Sequence, residues 1–498
     1  MSSETTDIQE MRATHGHDHG QNRFAVIPLP LRLDADDNYT GRGATIAFLD
    51  SGFYPHPDLT EPANRIIAFH DIVGEMASLD HARPSQAWQW HGTQTSVVAA
   101  GNGRLSDGIY RGLASDAQLA LVKVSHDGKI TEGNIARGLE WVIENRDRYG
   151  IRVLNISLGG DEDIPCSQSV IDQAAEEAIR QGITVVAAAG NNGHAEKHTS
   201  VPPANSPSVI TVGGYDDNNR IGNRKFDLYS SNYGATADGT LKPEIIAPAM
   251  WVATPILPGT SAYTVAENLS QIAAAPDYLL HSIARRLWRE AELPETLPEE
   301  DADTIRRAVE SLLRQNRTTS THYQHGDGTS FAAPIVSSVV AQMLEANPNL
   351  APATIKNILI STADRITNAS LIRQGYGVLN ARRAVQAALR EQHTFDHHSF
   401  GPPRIEAGKL LFSYHDDLAD TVAIAGDFNG WKPSETLFKR GVDGVWRAFV
   451  GPLIPGRYRY KLLINGTRWL DDPGNGLKEP DGYEGFNSLV NITEERDM

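Results

Sequence analysis

The chain has 498 residues, of which 40% are hydrophobic and 21% charged, proportions that are ordinary for a soluble globular protein of two or three domains. The formal net charge of −17 disfavours nucleic acid and anionic membranes as partners, because both need a basic face. The one cysteine, Cys166, excludes an intrachain disulfide, and without a run of about 18 apolar residues we expect no membrane span.

The N-terminal segment, residues 1–22, is polar and acidic and has no apolar signal core. We interpret it as a disordered tail. Together with the single cysteine, it predicts a cytoplasmic protein. The segment 24–33 that follows is apolar but contains Pro28 and Pro30, so we expect it to be extended rather than helical.

The next part of the chain alternates between apolar, β-branched runs and amphipathic stretches. The runs predict strands over 44–49, 119–124, 153–158, 184–189 and 209–212, and the stretches predict helices over 93–100, 130–145 and 167–181. Continuously apolar strands separated by helices indicate a mostly parallel sheet covered on both faces. The predicted fold class is therefore α/β with a doubly wound sheet, whose functional residues lie at the carboxyl ends of strands.

Two changes of rhythm divide the rest of the chain. Residues 262–324 carry amphipathic helical patterns and are predicted to be a helical insertion within one domain, 23–392. Residues 393–405 are predicted to form a linker. From 406 to 494 the period becomes two, with turns rich in Gly, Asn and Pro, which predicts a small antiparallel, immunoglobulin-like β-sandwich.

Three short segments, in the order Asp, His, Ser, carry the residue types of a catalytic triad. Asp50 ends an apolar run, His91 opens a predicted helix, and Ser330 opens another within Gly-Thr-Ser-Phe-Ala-Ala-Pro. A serine hydroxyl becomes a nucleophile when an imidazole takes its proton, and a buried carboxylate holds that imidazole in one tautomer. A serine at a helix N-terminus also lies among free N–H groups that favour developing negative charge.

A fourth segment, 187–193, ends another predicted strand with the amide of Asn191. Acyl transfer needs a hydrogen-bond donor aimed at the tetrahedral oxyanion, and Asn191 can supply it together with the Ser330 N–H. Taken singly, these segments also fit a turn aspartate, a capping histidine and an N-cap serine. Their joint occurrence in this order favours an enzyme.

The segments resemble the subtilase family of serine peptidases, in which this chain order is already known. The likeness covers about residues 24–392. It extends to Asp-Ser-Gly at 50–52, His-Pro-Asp-Leu at 56–59, His-Gly-Thr at 91–93, Asn-Ile-Ser-Leu-Gly-Gly at 155–160, Lys-Pro-Glu-Ile-Ile-Ala-Pro at 242–248 and Gly-Tyr-Gly-Val-Leu-Asn at 375–380.

The resemblance implies a serine endopeptidase that forms an acyl-enzyme with protein or peptide substrates. It implies that Asp50 orients, that His91 is general base and acid, that Ser330 is the nucleophile and that Asn191 completes the oxyanion hole. The alternative is a catalytically silent scaffold or binding protein on the same fold.

The resemblance also implies a substrate-binding edge and a wall that faces it across the specificity pocket. The edge would pair with an extended substrate backbone. The residues implied are Ser157, Leu158 and Gly159 for the edge and Ala188, Ala189 and Gly190 for the wall.

One cofactor question remains open in this likeness. The loop 101–108 stands where the family has a calcium loop, but calcium needs about six to eight oxygen ligands, and Asn102 and Asp107 are too few. We expect no cofactor and no metal, with calcium at this loop as the open alternative. The family often has histidine where Gln94 stands and glycine where Val97 stands, differences that we expect to alter packing and not chemistry.

Two segments near the predicted site admit more than one role. The strip 26–33 contains an Ile-Pro pair like that of intracellular subtilases, and it either blocks the cleft until removed or packs on the domain surface. The insertion, with helices predicted over 265–291 and 300–314, leads to Ser330, so we expect it on the leaving-group side of the cleft. A lid, a docking surface and a neutral decoration are open; we favour an element that restricts substrates or partners.

The C-terminal segment 408–492 resembles the β-sandwich modules of the glycogen- and starch-binding type, as in AMP-activated protein kinase β subunits. The resemblance rests on Val-Ala-Ile-Ala-Gly-Asp-Phe-Asn-Gly-Trp at 422–431 and Pro-Gly-Arg-Tyr-Arg-Tyr-Lys at 455–461. It implies Trp431 and Trp469 as platforms for sugar rings and Lys461 and Asn487 as hydrogen-bonding partners of an α-glucan. The alternative is a spacer or protein-docking module in which both tryptophans only pack turns.

Overall fold

The computed structural model describes residues 25–83, 85–221, 226–367, 369–392, 402–416, 419–475, 477–483 and 485–492. The predicted tail, 1–22, and most of the predicted linker, 393–405, lie outside the described residues. The last two residues of that predicted linker already belong to a strand that begins at Arg404.

The strands of the α/β part are short and mostly buried. In chain order they are β1 (Thr45–Asp50), β2 (Ile66–Asp71), β3 (Gln118–Lys123), β4 (Ser125–His126), β5 (Lys129–Ile130), β6 (Ile151–Ile156), β7 (Thr184–Ala188), β8 (Ile210–Asp216), β9 (Asp227–Leu228), β10 (Gly234–Ala235), β11 (Leu241–Lys242), β12 (Ile245–Pro248), β13 (Val252–Pro255), β14 (Thr318–Ser320) and β15 (Tyr323–Gly326).

The central sheet has the order β12-β8-β7-β6-β1-β3-β2, and every pair along this path is parallel. Only the short β9 joins antiparallel, on β8. The chain adds β2 and β3 on one side of β1, and then β6 and the later strands on the other side. Where the direction of strand addition changes in a parallel sheet, a crevice forms at the carboxyl ends of the strands, here beside β1.

The helices of the α/β part connect these strands and cover the sheet. In chain order they are α1 (Leu29–Arg32), α2 (Pro57–Thr60), α3 (Trp90–Ala100), α4 (Glu132–Glu144), α5 (Arg146–Tyr149), α6 (Val170–Arg180), α7 (Ser261–Ala273), α8 (Asp277–Leu287), α9 (Ala302–Gln315), α10 (Thr329–Ala346), α11 (Pro352–Thr362), α12 (Leu371–Gln374) and α13 (Ala381–Arg390).

Two apolar cores lie on opposite faces of the sheet. One joins the strands to α3, α10, α11 and α13, and the other joins them to α4 and α6. Helix α10 is buried along nearly its whole length, in keeping with its small and apolar residues. The structure therefore confirms the predicted doubly wound α/β class.

The N-terminal strip differs from its prediction as an extended segment. Leu29–Arg32 forms one helical turn with Pro28 at the N-cap position and Pro30 in the first turn, where a proline has no intrahelical N–H bond to lose. The apolar side chains of Leu29 and Leu33 are buried in the core that contains α3 and α10. The strip thus packs on the domain through these side chains.

The insertion folds around an apolar core of its own. Helices α7, α8 and α9 bury Leu269, Leu280 and Val309 against one another. The helix predicted over 265–291 is interrupted, and α8 starts afresh after Pro276, as expected where proline follows a helix end. The antiparallel sheet β13-β15-β14 joins the insertion to the α/β part.

The C-terminal part is a sandwich of two antiparallel sheets, β16-β17-β20-β19 and β18-β21-β24-β23, with β22 also paired to β21. Its strands are β16 (Arg404–Glu406), β17 (Lys409–His415), β18 (Val422–Gly426), β19 (Lys439–Arg440), β20 (Val445–Val450), β21 (Gly456–Ile464), β22 (Arg468–Leu470), β23 (Lys478–Pro480) and β24 (Phe486–Ile492). The two sheets enclose one apolar core. This confirms the predicted sandwich.

The sandwich packs against the α/β part through buried charged groups. The Lys478 ammonium donates to the hydroxyl of Tyr376 and pairs with Asp471 at 2.8 Å, and both charged side chains are 5% exposed. Arg365 lies 3.8 Å from the same carboxylate. A cavity of 390 Å³, lined by residues of both parts, adjoins this contact.

Candidate active site

Asp50 is the last residue of β1, at the carboxyl edge of the sheet, and its side chain is 1% exposed. The Ser51 N–H donates to its Oδ1 at 2.7 Å, and the Thr95 hydroxyl donates to its Oδ2 at 3.2 Å. These donors hold the carboxylate in one orientation at a buried site.

His91 lies in the first turn of α3, with its ring turned to Asp50. Its Nδ1 is 2.8 Å from Oδ1 and 3.0 Å from Oδ2 of Asp50. Burial lowers the pKa of His91, but the charge of Asp50 and the hydrogen bond to it outweigh burial, so the pKa is raised above its ordinary value. Asp50 thus holds the proton on Nδ1 and leaves Nε2 to accept another proton.

Ser330 lies in the first turn of α10, which packs against α3, and it is half-buried. The His91 ring lies 6.3 Å, between ring centroids, from Phe331, the residue after the serine. The Ser330 hydroxyl donates to the carbonyl of Ser157 at 3.4 Å. Within the described residues it makes no hydrogen bond to His91, a link that often forms only when substrate is bound.

The Asn191 amide and the Ser330 nitrogen border the space beside Gly328. The Asn191 Oδ1 accepts from the N–H of Thr329 at 2.9 Å and from its hydroxyl at 3.1 Å, which leaves the amino group of the amide as the donor. A Cβ atom added to Gly328 would lie 3.7 Å from Asn191 Oδ1, 3.8 Å from Asn191 Nδ2 and 3.8 Å from the Ser330 nitrogen. Gly328 has φ +136°, which a side chain would strain, so glycine keeps this space open.

The segment Ser157–Gly159 directly follows β6 and lies against the nucleophile turn. Besides accepting from the Ser330 hydroxyl, Ser157 donates its own hydroxyl to the Ser330 carbonyl at 3.0 Å. Leu158 packs half-buried on the core beside α4 and α6, and Gly159 is exposed. The predicted strand reached Leu158, but β6 ends at Ile156, which leaves this backbone edge outside the sheet.

The wall formed by Ala188, Ala189 and Gly190 ends β7 and continues into Asn191. Gly190 has φ +101°, and an added Cβ would come within 2.8 Å of the Asn232 side chain. Asn232 holds this turn by donating its N–H to the Gly190 carbonyl at 3.0 Å and accepting the Asn192 N–H at 2.6 Å.

Sequence reasoning missed Thr329 and Asn232, which fix the conformation of this site. Thr329 belongs to the Gly-Thr-Ser segment and directly precedes Ser330. This position was a signal in the sequence that its hydroxyl could be a partner for Asn191. Asn232 gave no comparable signal, because its contact with Gly190 joins residues 42 apart in the chain.

The loop predicted as a calcium alternative is held by protein groups. Asn102 Oδ1 accepts the Arg104 N–H at 3.0 Å. The fully buried Asp58 accepts the Leu105 N–H at 3.0 Å and the hydroxyl of Tyr323. Among the described residues, no three His, Cys, Asp or Glu side chains are grouped to hold a metal ion. None of the helices that the structure describes is long and apolar enough to cross a membrane.

The four predicted sugar-binding residues lie at one face of the sheet β18-β21-β24-β23. Tyr460 points into the sandwich core, so its neighbour Lys461 points to the opposite face. Trp469 is paired with Leu463, two residues further along that face. Asn487 follows the same alternation, since Ser488 is paired with Tyr460 and fully buried.

The tryptophans of this face are accessible. Trp469 is 48% exposed, and Trp431, in the turn after β18, is 36% exposed. The Trp431 indole donates to Asp427 at 2.9 Å, and Asp427 also pairs with Arg459 at 3.1 Å, two residues before Lys461. These bonds fix the ring of Trp431 at the edge of the face.

The Lys461 ammonium is paired with Asp481. The carboxylate of Asp481 also accepts the N–H of Tyr483 at 2.7 Å, which places this third aromatic residue, 90% exposed, beside the face. Sequence reasoning missed Tyr483, although its acidic, glycine-rich turn between two strands was visible.

Comparisons with known proteins identify the family of this chain. The subtilase family matches residues 41–377, and carbohydrate-binding module 48 (isoamylase N-terminal domain) matches residues 399–475. Serine protease AprX of Bacillus subtilis (strain 168) is 31% identical over 354 residues, 70% of this chain and 67% of its own. Subtilisin BL of Lederbergia lenta is 27% identical over 349 residues, 70% of this chain and 92% of its own.

The fold of the CspB protease of Clostridium perfringens is also similar, with a TM-score of 0.52 at 16% identity, over 75% of this chain and 99% of that one. The fold and the family together define a serine endopeptidase. The chain belongs to the subtilase family, and it carries a module of the carbohydrate-binding module 48 type at its C-terminal end.

Proposed function

We propose that this protein cuts peptide bonds with Ser330 as nucleophile, His91 as general base and acid, and Asp50 as the orienting carboxylate. The observation that carries the proposal is the 2.8 Å contact between His91 Nδ1 and the buried Asp50. This contact fixes the tautomer in which Nε2 is free to take the serine proton.

The reaction has two steps, formation of the acyl-enzyme and its hydrolysis. The Ser330 Oγ bonds to the substrate carbonyl carbon while its proton passes to His91 Nε2. The oxyanion accepts hydrogen bonds from Asn191 Nδ2 and the Ser330 N–H, the two donors beside Gly328. The carbon–nitrogen bond then breaks as His91 returns the proton to the leaving amine. Finally, water attacks the acyl-enzyme while His91 takes its proton. The bond to the Ser330 oxygen then breaks, and His91 returns the proton to this oxygen.

The hydrogen bond of Ser330 to Ser157 suggests that bound substrate also helps to activate the Ser330 hydroxyl. An extended substrate paired with Ser157–Gly159 needs backbone acceptors on this edge. If a substrate N–H takes the Ser157 carbonyl, the Ser330 hydroxyl loses its acceptor, 3.4 Å away, and becomes free to turn to His91. Binding and activation of the nucleophile are then linked.

A peptidase assay with matched serine variants tests this proposal. Ser330→Ala should abolish cleavage of an unstructured protein substrate while the protein stays folded by circular dichroism. Ser361→Ala, which changes an exposed serine bonded to its own helix, should cleave like the wild type. Full activity in Ser330→Ala would refute the role of the nucleophile.

We propose further that the C-terminal module binds α-glucan on the face defined by Trp431, Lys461, Trp469 and Asn487. Exposed rings fixed at the edge of a polar sheet face suit stacking against sugar rings, and Lys461 and Asp481 can hydrogen-bond sugar hydroxyls. Retardation in a gel that contains glycogen measures this binding.

The controls come from the same module. Trp431→Ala and Trp469→Ala should each reduce the retardation. Phe449→Ala, which removes a 51% exposed ring from the other sheet, should migrate like the wild type. Equal retardation of all three variants and the wild type would leave the module without a glucan role.

A further inference from the structure

Arg32, in the N-terminal strip, is a buried cation with acceptors on two sides. Its side chain is 0% exposed, and its guanidinium donates to both oxygens of Asp217, at 2.8 and 2.9 Å. It also donates to the carbonyl of Met250, at 2.9 Å, and to that of Trp251. One planar group therefore joins the strip, the loop after β8 and the segment after β12.

Trp251 is held in a conformation that a bulky residue rarely adopts. Its φ is +57°, in the left-handed region, a conformation that persists only where neighbours enforce it. Its N–H donates to His325 Nε2 at 2.8 Å and to Asp327 Oδ1 at 3.3 Å, and its indole stacks on the His325 ring at 4.7 Å. Arg32 holds the carbonyl of the same residue.

The segment around Trp251 is bonded to the nucleophile turn at two points. The Gly328 N–H donates to the Ala249 carbonyl at 2.8 Å, and Asp327, which accepts from Trp251, is the residue before Gly328. Gly328 in turn caps the helix on which Ser330 lies. Arg32 is therefore connected to the Ser330 turn through the segment 249–251.

We infer that Arg32 is a positioning residue for the peptidase reaction, and that the N-terminal strip is required for activity instead of inhibiting it. The inference rests on the proposed role of Ser330. The strip binds by Ile27 and Ala25 to Asn219, at 2.8 and 2.7 Å, and by Arg32 to Asp217, all within the loop after β8. These hydrogen bonds hold the loop after β8 and the segment after β12, which is bonded to the Ser330 turn. None of them reaches the substrate edge, Ser157–Gly159.

The size of the effect follows from the sensitivity of the reaction to geometry. A displacement of about 1 Å by a change remote from the reacting atoms can lower the rate by roughly 10²-fold. We expect loss of the Arg32 guanidinium to relax Trp251 and to lower kcat between 10-fold and 100-fold, in order of magnitude, with little change in KM because the substrate edge is untouched.

The test compares two variants of Arg32 with a control next to the strip. Arg32→Met removes all four bonds. Arg32→Lys keeps the charge beside Asp217 but cannot hold both carbonyls, and it serves if the methionine variant does not fold. The control, Arg382→Gln on α13, removes the 3.1 Å ion pair to Asp34, the residue that follows the strip.

The rate of phosphonylation by a fluorophosphonate, kcat and KM for a peptide, and the unfolding temperature are measured for each full-length protein. We expect slower phosphonylation and lower kcat in both Arg32 variants at temperatures where they are folded, and wild-type values in Arg382→Gln. In a third variant, Arg32→Ala, millimolar guanidinium chloride should restore part of the rate, and urea at the same concentration should not. Wild-type or faster phosphonylation in folded Arg32→Lys or Arg32→Met overturns the inference. A wild-type protein that is never phosphonylated overturns the proposed function instead.

Discussion

The side-chain oxygen of Asn191 accepts the Thr329 N–H at 2.9 Å, and this bond decides which way the Asn191 amide faces. With its oxygen engaged, the amide has its amino group left to donate, and this group lies, like the Ser330 nitrogen, 3.8 Å from the place that a Cβ atom of Gly328 would take. Thr329, the residue before Ser330, thus fixes the orientation of the Asn191 amide.

Removal of this donor should lower kcat and leave KM nearly unchanged, because the oxyanion exists only in the transition state. For Asn191→Ala we expect a fall of roughly 10²–10³-fold, the range known for one oxyanion donor in subtilisin. Thr329→Val removes the hydroxyl bond to Asn191 and the bond that the same hydroxyl accepts from the Gly190 N–H, but it keeps the backbone bond to Asn191, so its fall should be at most about tenfold. Steady-state kinetics measure both, with Asn192→Ala as control; a KM effect without a kcat effect contradicts the assignment.

The pH dependence of kcat/KM should follow the His91 imidazole. The base must be neutral to accept the serine proton, so activity rises with pH through the pKa of His91. Burial lowers this pKa, but Asp50 raises it by a larger amount. The midpoint of the pH profile should therefore lie above the ordinary pKa of about 6.5. In Asp50→Asn the midpoint should move to lower pH, and kcat should fall by roughly 10⁴-fold. A midpoint that does not move in this variant argues against the pair.

Asp172, on α6, should make folding stability depend on pH. Its carboxyl is fully buried, and neither oxygen has a hydrogen-bond partner among the described residues. Burial is the main cause that raises its pKa to about 7. The folded state therefore binds this proton more tightly than the unfolded state does. The resulting stability is complete below the unfolded pKa, about 3.9, and is lost as pH rises through about 7.

Thermal unfolding between pH 4 and pH 8 measures this effect. Asp172→Asn, which cannot ionise, should unfold at a higher temperature than the wild type at pH 8 and should flatten the decline between these pH values. The exposed Glu140→Gln on α4 should leave the wild-type profile unchanged. A steeper decline in Asp172→Asn runs against the expected sign.

The buried ion pair at the contact between the sandwich and the α/β part should contribute to the stability of the whole chain. Lys478 and Asp471 both belong to the sandwich, and Lys478 also donates to Tyr376 of the α/β part. Lys478→Met removes the 2.8 Å partner of the 5% exposed Asp471, and loss of one member of a buried pair costs about 3–5 kcal/mol. Lys432→Met removes an exposed pair of the same module, 3.3 Å long, and should cost at most about 1 kcal/mol. Urea unfolding measures the two losses; equal losses would mean that the buried pair contributes no more than the exposed one.

Periodicity and local chemistry were enough to predict the elements that carry the site. Apolar β-branched runs predicted β1 and β7, and the candidate site residues Asp50 and Asn191 stand at or just past the ends of these runs. The small residues before Ser330 predicted a helix start, and α10 begins at Thr329. These features depend on neighbours in the chain, so sequence shows them directly.

The parts that escaped prediction depend on contacts between distant residues. The bond of Arg32 to Trp251 spans 219 positions, and the left-handed φ of Trp251 has no signal in its own residue type. The bond of Ser330 to Ser157 spans 173 positions and selects a hydroxyl rotamer that no pattern encodes. Pro28 and Pro30 were interpreted as helix breakers. Both are compatible with α1, because Pro28 lies at the N-cap position and Pro30 in the first turn.

Covalent trapping followed by peptide mapping tests the central assignment most directly. A fluorophosphonate should add once per chain, with the adduct on the peptide that contains Ser330. The adduct should be absent in Ser330→Ala and should form far more slowly in His91→Ala. An adduct on another residue, or wild-type labelling in the folded His91→Ala protein, would contradict the triad built on the 2.8 Å contact between His91 and Asp50.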